Sequence, residues 1–348
     1  MTPNPLASDL DDILRQTRPL WEELCGARLF ITGGTGFFGC WLLESLLWAE
    51  EKLGLGVRVT VLTRAPDVFS RKAPHLAGHP SVRLHAGNVR DFAFPNERFS
   101  HIIHAAAESP ERAGAPLSPV FDTLVEGTRR TLEFARSCGA GKLLLTSSGA
   151  VYGLQSPDLT HLPEEYPCAP ALTDHGSAYA QGKRAAESLC TQAAREGGLD
   201  VKIARCFTFV GPYLPLDAQF AAGNFIRDVL RGVPIQVKGD GVPWRSYLYA
   251  SDLTIWLWTI LHRGVFCRPY NVGSEEAVRI ADLAQAISRA VVPPAEVRIA
   301  RAPELGVPAP RYVPSTRRAR TELGLRQGIG LDEAIARTIR WHRSPKAA

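Results

Sequence analysis

An apolar run, RLFIT (28–32), leads without interruption into TGGTGFFG (32–39) and then into FFGCWLLESLLWAE, a stretch of helical composition. Gly33, Gly36 and Gly39 stand three residues apart at the turn between the two. Few folds satisfy that constraint. Gly33 permits the tight turn, Gly36 lets backbone come up against a pyrophosphate, and Gly39 lets the helix pack close on the strand, while amides at the helix N-terminus attract phosphate charge. The spacing alone is a weak signal, but after a predicted strand and before a predicted helix it predicts a dinucleotide-binding unit, with Thr35, Phe37 and Phe38 inside the same turn.

The rest of the chain continues the pattern. Short apolar runs, VRVTVL (57–62), SVRLHA (81–86), HIIHAA (101–106), KLLLTSS (142–148) and VKIAR (201–205), alternate with helical patterns, two of them around 118–138 and 177–196. Such alternation predicts an α/β fold, a Rossmann-type doubly wound parallel sheet with helices on both faces. After Arg205 the alternation weakens and Gly/Pro turns multiply, as expected for a smaller C-terminal α/β domain over the carboxyl edge of the sheet, where ligands bind in open α/β sheets. The expected division is an N-terminal helical extension (1–26), a dinucleotide-binding domain (27–206 plus about 248–268) and a substrate-binding domain (about 207–247 plus 269–348). In the extension, Leu10, Ile13, Leu14, Trp21 and Leu24 approximate helical spacing after a candidate cap, Ser8, which predicts a packing role.

Composition narrows the function class. No apolar run approaches the roughly 20 residues that span a bilayer, and the opening MTPNPLASDLDDIL lacks the order of a secretory signal, so no membrane association and a cytoplasmic location are expected. Seven scattered cysteines have neither metal-ligand spacing nor the look of a disulfide framework, which predicts reduced thiols and no metal site. A net charge of +5 over 348 residues, with no basic run interleaved with aromatics, gives no support for nucleic-acid binding and suits an anionic small molecule.

Two further features carry chemistry. The second strand runs into Thr63 and Arg64 where a binder of NAD usually places an acid for the ribose 2′-hydroxyl; an arginine there can meet a 2′-phosphate, so NADP(H) is favoured over NAD(H). SAYAQGK places Tyr179 and Lys183 on one helix face, four residues apart. A lysine ammonium near a phenol favours phenolate, which makes Tyr179 a candidate proton carrier. The strand ending in Ser147 and Ser148 can bring a hydroxyl to the same point; if it is regular, the two serines face opposite ways.

These motifs together resemble the extended short-chain dehydrogenase/reductase family of nucleotide-sugar epimerases, dehydratases, decarboxylases and ketoreductases. The resemblance runs from about 27 to 342 and is carried by TGGTGFFG, GNVRD, HAAA, SSGAVYG, YAQGK, RCFTFVGP, GDGVPWRSYLYASD, YNVG and ELGL. It implies that Ser148 is the catalytic hydroxyl, Tyr179 the acid/base, and Lys183 the residue that binds the nicotinamide ribose and tunes the tyrosine. It implies adenine contact at Asn88, with Val89 beside it, and a cofactor groove lined by Ala105, Ala106 and Ala107. On the substrate side it implies Asn224, Arg245 and Arg311 around the diphosphate of a nucleotide sugar, with Thr208 and Ser148 toward the sugar. A homodimer through the helices at 118–138 and 177–196 is expected by the same analogy. Thr208, Ser246 and Leu124 depart from the family's asparagine, aspartate and asparagine.

Family members that eliminate water carry Asp-Glu directly after the catalytic hydroxyl residue, and the nucleotide-glucuronate decarboxylases keep a glutamate at the second place. Here the two positions are Gly149 and Ala150, which neither give nor take a proton. Dehydration and decarboxylation are thereby disfavoured. What remains is hydride transfer at C4 with one proton: reduction of an NDP-4-keto sugar, ranked first, or 4-epimerisation. A non-catalytic NADP-binding sensor and a reductase of non-nucleotide carbonyls are the rival readings.

Overall fold

The computed structural model describes residues 4–107, 118–218, 220–304 and 306–344. Its strands are β1 (Arg28–Thr32), β2 (Arg58–Thr63), β3 (Val82–Ala86), β4 (His101–His104), β5 (Lys142–Ser148), β6 (Asp200–Cys206), β7 (Phe209–Val210), β8 (Ile235–Val237), β9 (Trp244–Arg245), β10 (Leu248–Tyr249), β11 (Pro269–Val272), β12 (Val278–Arg279), β13 (Val297–Ile299) and β14 (Arg311–Tyr312). Its helices are α1 (Ala7–Thr17), α2 (Phe37–Leu53), α3 (Pro66–Lys72), α4 (Pro74–Ala77), α5 (Ser118–Cys138), α6 (Ala178–Arg195), α7 (Ala221–Leu230), α8 (Ala250–Arg263), α9 (Ile280–Arg289), α10 (Arg317–Leu323) and α11 (Leu331–Arg343).

Seven strands form one parallel sheet in the order β11-β6-β5-β4-β1-β2-β3. Because helices cover both faces, its central strands β1, β4 and β5 are buried along nearly their whole length rather than on alternate residues. One core cluster joins α1, α2 and α8 to the sheet through Leu10, Trp41, Leu46, Trp256 and Trp258. A second holds α5 and α6 on the opposite face through Phe30, Phe92, Phe134 and Val201. Strand order reverses between β1 and β4, so the crevice beyond their carboxyl ends is the switch point where such sheets bind ligands.

Smaller elements gather beyond that edge. β9 lies between β12 and β14, β8 pairs with β13, and α7, α9 and α11 close a third cluster around Phe225, Ile235, Leu283 and Ile335. The parallel sheet reaches past the boundary expected at 268, because β11 pairs with β6 in register from Pro269 to Val272.

Near the N-terminus the helix is present, but Ser8 does not cap it. α1 starts at Ala7 behind Leu6 with no side-chain cap, so Ser8 sits inside the first turn. Leu10, Ile13, Trp21 and Leu24 are all buried, and Trp21 packs 5.2 Å from Trp258 between ring centroids. Asp9 is buried as well; burial raises its pKa, while Tyr249 donates to it at 2.7 Å and Arg337 pairs with it. No described helix is long and apolar enough to cross a membrane.

Candidate active site

The glycine turn and the end of β4 meet directly. Gly33 has φ +72°, and a Cβ there would lie 2.5 Å from the carbonyl carbon and oxygen of Ala105, so only glycine fits. Gly39 holds α2 equally close, since a Cβ on it would lie 2.3 Å from the backbone of Gly34. Ala105 N–H donates to the Thr32 carbonyl and Ala106 N–H to the Thr32 hydroxyl, both at 3.1 Å, so the HAAA segment lines one wall of the crevice; Ala107 is exposed beyond it. Gly36 is exposed at the head of α2, a backbone surface that a phosphate can approach. Phe37 is half-buried and touches both the first and third core clusters, and Phe38 sets its ring edge-on to Phe209 at 5.1 Å.

At the end of β2, Thr63 is buried and its hydroxyl accepts from Ala65 N–H at 3.3 Å, while Arg64 is exposed. Lys72 of α3 donates to the Thr35 carbonyl at 2.8 Å, which brings a cation to the glycine turn. No spacing rule pointed to that lysine. The Asn88 side-chain oxygen accepts from Arg90 N–H at 3.1 Å and shapes the loop, and Val89 is buried against Gly127.

β5 separates its two serines as a regular strand must. Ser147 donates to Glu187 Oε1 at 2.5 Å on the α6 side, and that carboxylate is held by Arg205 at 2.7 and 3.0 Å. Ser148 is buried at the strand end, its hydroxyl accepting from Ala150 N–H at 3.1 Å in the tight turn that Gly149 begins. One turn of α6 separates Tyr179 from Lys183, whose Nζ lies 5.8 Å from the Tyr179 ring centroid and donates to the Thr146 carbonyl at 2.6 Å. Lys183 is only 3% exposed, and burial pushes its pKa down to about 8, against the raising effect of nearby Cys206, Glu187 and Cys190. The geometry therefore ties the Tyr-Lys pair to the serine strand through one backbone carbonyl. Gly182, inside the same motif, packs on Leu124 of α5, where a Cβ would lie 2.7 Å from Leu124 Cδ1; the leucine that departs from the family's asparagine fills an interhelical contact.

Beneath the crevice His104 bridges β1, β4 and α5, with Nδ1 2.8 Å from the Thr32 hydroxyl and Nε2 3.0 Å from that of Thr128. Burial lowers its pKa to about 3, so it is neutral.

The substrate-side residues do not converge as expected. Asn224 donates from Nδ2 to the carbonyls of Leu216 and Ala218, which spends its amide on the neighbouring loop. Thr208 donates to the Ser246 carbonyl. Arg311 pairs in register with Trp244 and Tyr312 with Arg245, so the two arginines leave opposite faces of their small sheet. Arg311 lies over the Trp244 ring at 4.7 Å, and Arg245 over Tyr312 at 5.9 Å. Only Arg245 shares a face with Tyr312, whose phenol closes over Gly149: a Cβ at 149 would lie 2.6 Å from the Tyr312 hydroxyl oxygen. Tyr312 went unnoticed in the sequence because it comes from a distant two-residue strand. Among the described residues, no group of three or more His, Cys, Asp or Glu side chains is placed to hold a metal ion.

Comparison with known proteins agrees with this geometry. The model of the NAD dependent epimerase/dehydratase family matches residues 29–273. UDP-glucuronic acid decarboxylase 6 of Arabidopsis thaliana is 30% identical over 281 residues, covering 78% of this chain and 76% of its own length. UDP-glucuronic acid decarboxylase 1 of Xenopus tropicalis is 28% identical, covering 91% and 72%. Among solved structures, DesIV, a dTDP-glucose 4,6-dehydratase from Streptomyces venezuelae with NAD bound, superposes with TM-score 0.78 at 28% identity, covering 91% of this chain and 97% of that one. A UDP-galactose 4-epimerase superposes with TM-score 0.70 at 25% identity, covering 90% and 98%.

Proposed function

Since the chain belongs to the NAD-dependent epimerase/dehydratase family, we propose that it moves hydride between a nicotinamide cofactor and C4 of a nucleoside-diphosphate hexose, with net reduction of a 4-keto sugar ranked first. The observation that carries this reading is the pair after Ser148. Gly149 and Ala150 offer no acid or base, and the space above Gly149 is taken by the Tyr312 phenol rather than left for a carboxylate. The DesIV and decarboxylase likenesses therefore support the nucleotide-sugar class, while elimination and decarboxylation lack the groups that the resemblance assigns to them.

The cofactor supplies or takes the hydride. Backbone at Gly33, Gly36 and the head of α2 would hold its pyrophosphate, Ala105 and Ala106 would border it, and Lys183 would meet the nicotinamide ribose. In reduction, C4 gains hydride as its carbonyl π pair moves to O4; Ser148 donates a hydrogen bond to O4 and Tyr179 gives it a proton. Arg64 at the end of β2, with Lys72 near Thr35, supports NADP(H) over NAD(H), since both can meet a 2′-phosphate. Arg245, on the face of its small sheet that carries Tyr312, is the proposed diphosphate contact. A homodimer through α5 and α6 and a cytoplasmic location belong to the same proposal.

The alternative reading, 4-epimerisation, is favoured by the likeness to a UDP-galactose 4-epimerase; it uses the same residues with the hydride returned to the other face. The test is the turnover of 4-keto nucleotide sugars with NADPH by wild type and Tyr179→Phe. The variant is expected to lose at least about 10² in kcat with cofactor affinity retained. Near-normal turnover in Tyr179→Phe refutes the mechanism, and tighter NADH than NADPH binding by the wild type refutes the cofactor choice.

A further inference from the structure

His104 takes no part in the hydride step, yet both of its ring nitrogens are engaged beneath the crevice. Nδ1 stands 2.8 Å from the Thr32 hydroxyl and Nε2 stands 3.0 Å from that of Thr128. All three side chains are buried, so bulk water offers them no other partner. The directions of these bonds follow from counting protons. A hydroxyl has one proton to give, and a neutral imidazole has one N–H and one bare nitrogen.

Thr128 gives its proton to the Leu124 carbonyl at 2.6 Å, and a carbonyl can only accept. The Thr128 oxygen therefore meets Nε2 by accepting, which puts the imidazole proton on Nε2. Nδ1 is then bare, and the Thr32 hydroxyl must donate to it. The Thr32 oxygen is left to accept, and Ala106 N–H donates to it at 3.1 Å. Thr131, whose oxygen lies 3.4 Å from Nδ1, has given its own proton to the Gly127 carbonyl at 2.7 Å and does not compete. The opposite tautomer would set a bare Nε2 against the Thr128 oxygen. One chain of bonds, all of the same sense, thus runs from Ala106 through Thr32, His104 and Thr128 into α5.

We infer that His104 is a positioning residue: with its proton on Nε2, it holds the Thr32 hydroxyl in the orientation that receives the Ala106 amide, and so fixes the wall of the dinucleotide crevice. Its role in binding rests on the nicotinamide reading of the crevice; the direction of the chain does not. Both amides of the wall hang on Thr32, since Ala105 N–H donates to the Thr32 carbonyl at 3.1 Å. The Ala105 carbonyl in turn packs where a Cβ on Gly33 would lie, so a shift of the wall is felt at the glycine turn. On its other side the His104 carbonyl accepts from the Thr146 hydroxyl at 3.3 Å, and the Thr146 carbonyl takes the Lys183 ammonium at 2.6 Å. Burial, with the Lys183 charge acting in the same direction, keeps the ring neutral at working pH, so the chain persists.

Three measurements decide this. The first needs only the wild type without cofactor: nitrogen NMR shifts of the assigned His104 ring at neutral pH should show Nε2 protonated and Nδ1 bare. A proton on Nδ1 overturns the inference. The second is amide hydrogen exchange at Ala106, which should quicken at least about tenfold in Thr32→Val, a change that removes the hydroxyl and keeps the volume, and in His104→Leu. Unchanged exchange at Ala106 in both variants overturns it as well. The third is fluorescence titration of the folded proteins with NADPH and NADH. Each variant should bind both dinucleotides about tenfold more weakly, because the wall lies away from the 2′ position, and the double variant should lose no more than either single one, because one chain is broken. Wild-type affinity in folded His104→Leu leaves the ring a packing role alone and overturns the inference. A wild type that binds neither dinucleotide refutes the nicotinamide reading, and the ring tautomer and Ala106 exchange still decide whether His104 holds the wall.

Discussion

Lys183→Met removes the buried ammonium beside the Tyr179 ring. Burial drops the Lys183 pKa from 10.5 to about 8, and the side chain gives one hydrogen bond to Thr146 and faces the Tyr179 ring. The sign follows from proton counting. Below pH 8 the lysine is charged in both the folded and unfolded chains, and the folded state carries the full desolvation cost. Between about 8 and 10.5 the folded chain has released the proton and the unfolded chain still holds it, so stability rises with pH. At about 1.36 kcal/mol per unit, the depression of roughly 2.5 units amounts to about 3 kcal/mol across the window. Methionine is close in length and has no charge, so other titrations cancel when the two proteins are compared. Urea unfolding of both without cofactor, at intervals from pH 7 to 11, should show wild type gaining on the variant by about 3 kcal/mol, nearly all of it above pH 8. Parallel curves refute the claim that Lys183 is desolvated, and with it the account of how Tyr179 is tuned.

Three other outcomes follow from the geometry. Gly149→Asp places its Cβ against the Tyr312 oxygen and the Phe207 ring; it should destabilise by about 1–3 kcal/mol and abolish most reduction without creating a water-eliminating enzyme, and an active variant of wild-type stability contradicts the packing. Neutral His104, its pKa lowered to about 3 by burial, contributes stability that is lost as pH falls below its ordinary value of 6.5. The advantage of wild type over His104→Gln should therefore shrink by about 1.4 kcal/mol per pH unit on acidification, as read by denaturant unfolding, and a constant gap contradicts it. Arg64→Ala should weaken NADPH binding about tenfold and leave NADH nearly unchanged by fluorescence titration; equal losses for both contradict a 2′-phosphate contact.

The sequence and the structure agree most where one local rule governs. RLFIT and TGGTGFFG announce strand, turn and helix because a glycine turn has a steric cause visible in the residues themselves, and the structure adds the partner at Ala105 that makes Gly33 obligatory. Ser147 and Ser148 were separable because strand alternation is strict. The sheet that PYNV joins is not legible in four residues, whose periodicity is too short to declare it; its pairing with β6 comes from the fold. Ser8 looked like a cap by composition, yet the burial of Asp9 and Leu10 starts the helix earlier. The substrate side was least legible. Whether Arg245 and Arg311 share a face depends on the register of two-residue strands far apart in the chain, and so does the approach of Tyr312 to Gly149; neither is written in any local spacing.

The central claim is that the site performs hydride transfer with a single proton and nothing more. Its most direct test is mass spectrometry of the products when purified protein is incubated with nucleotide sugars and their 4-keto derivatives, with NADPH deuterated at the transferable position. The account predicts a 4-keto substrate converted to a product heavier by one deuteride and one proton, with the deuterium at C4. A product lighter by water or by carbon dioxide contradicts it.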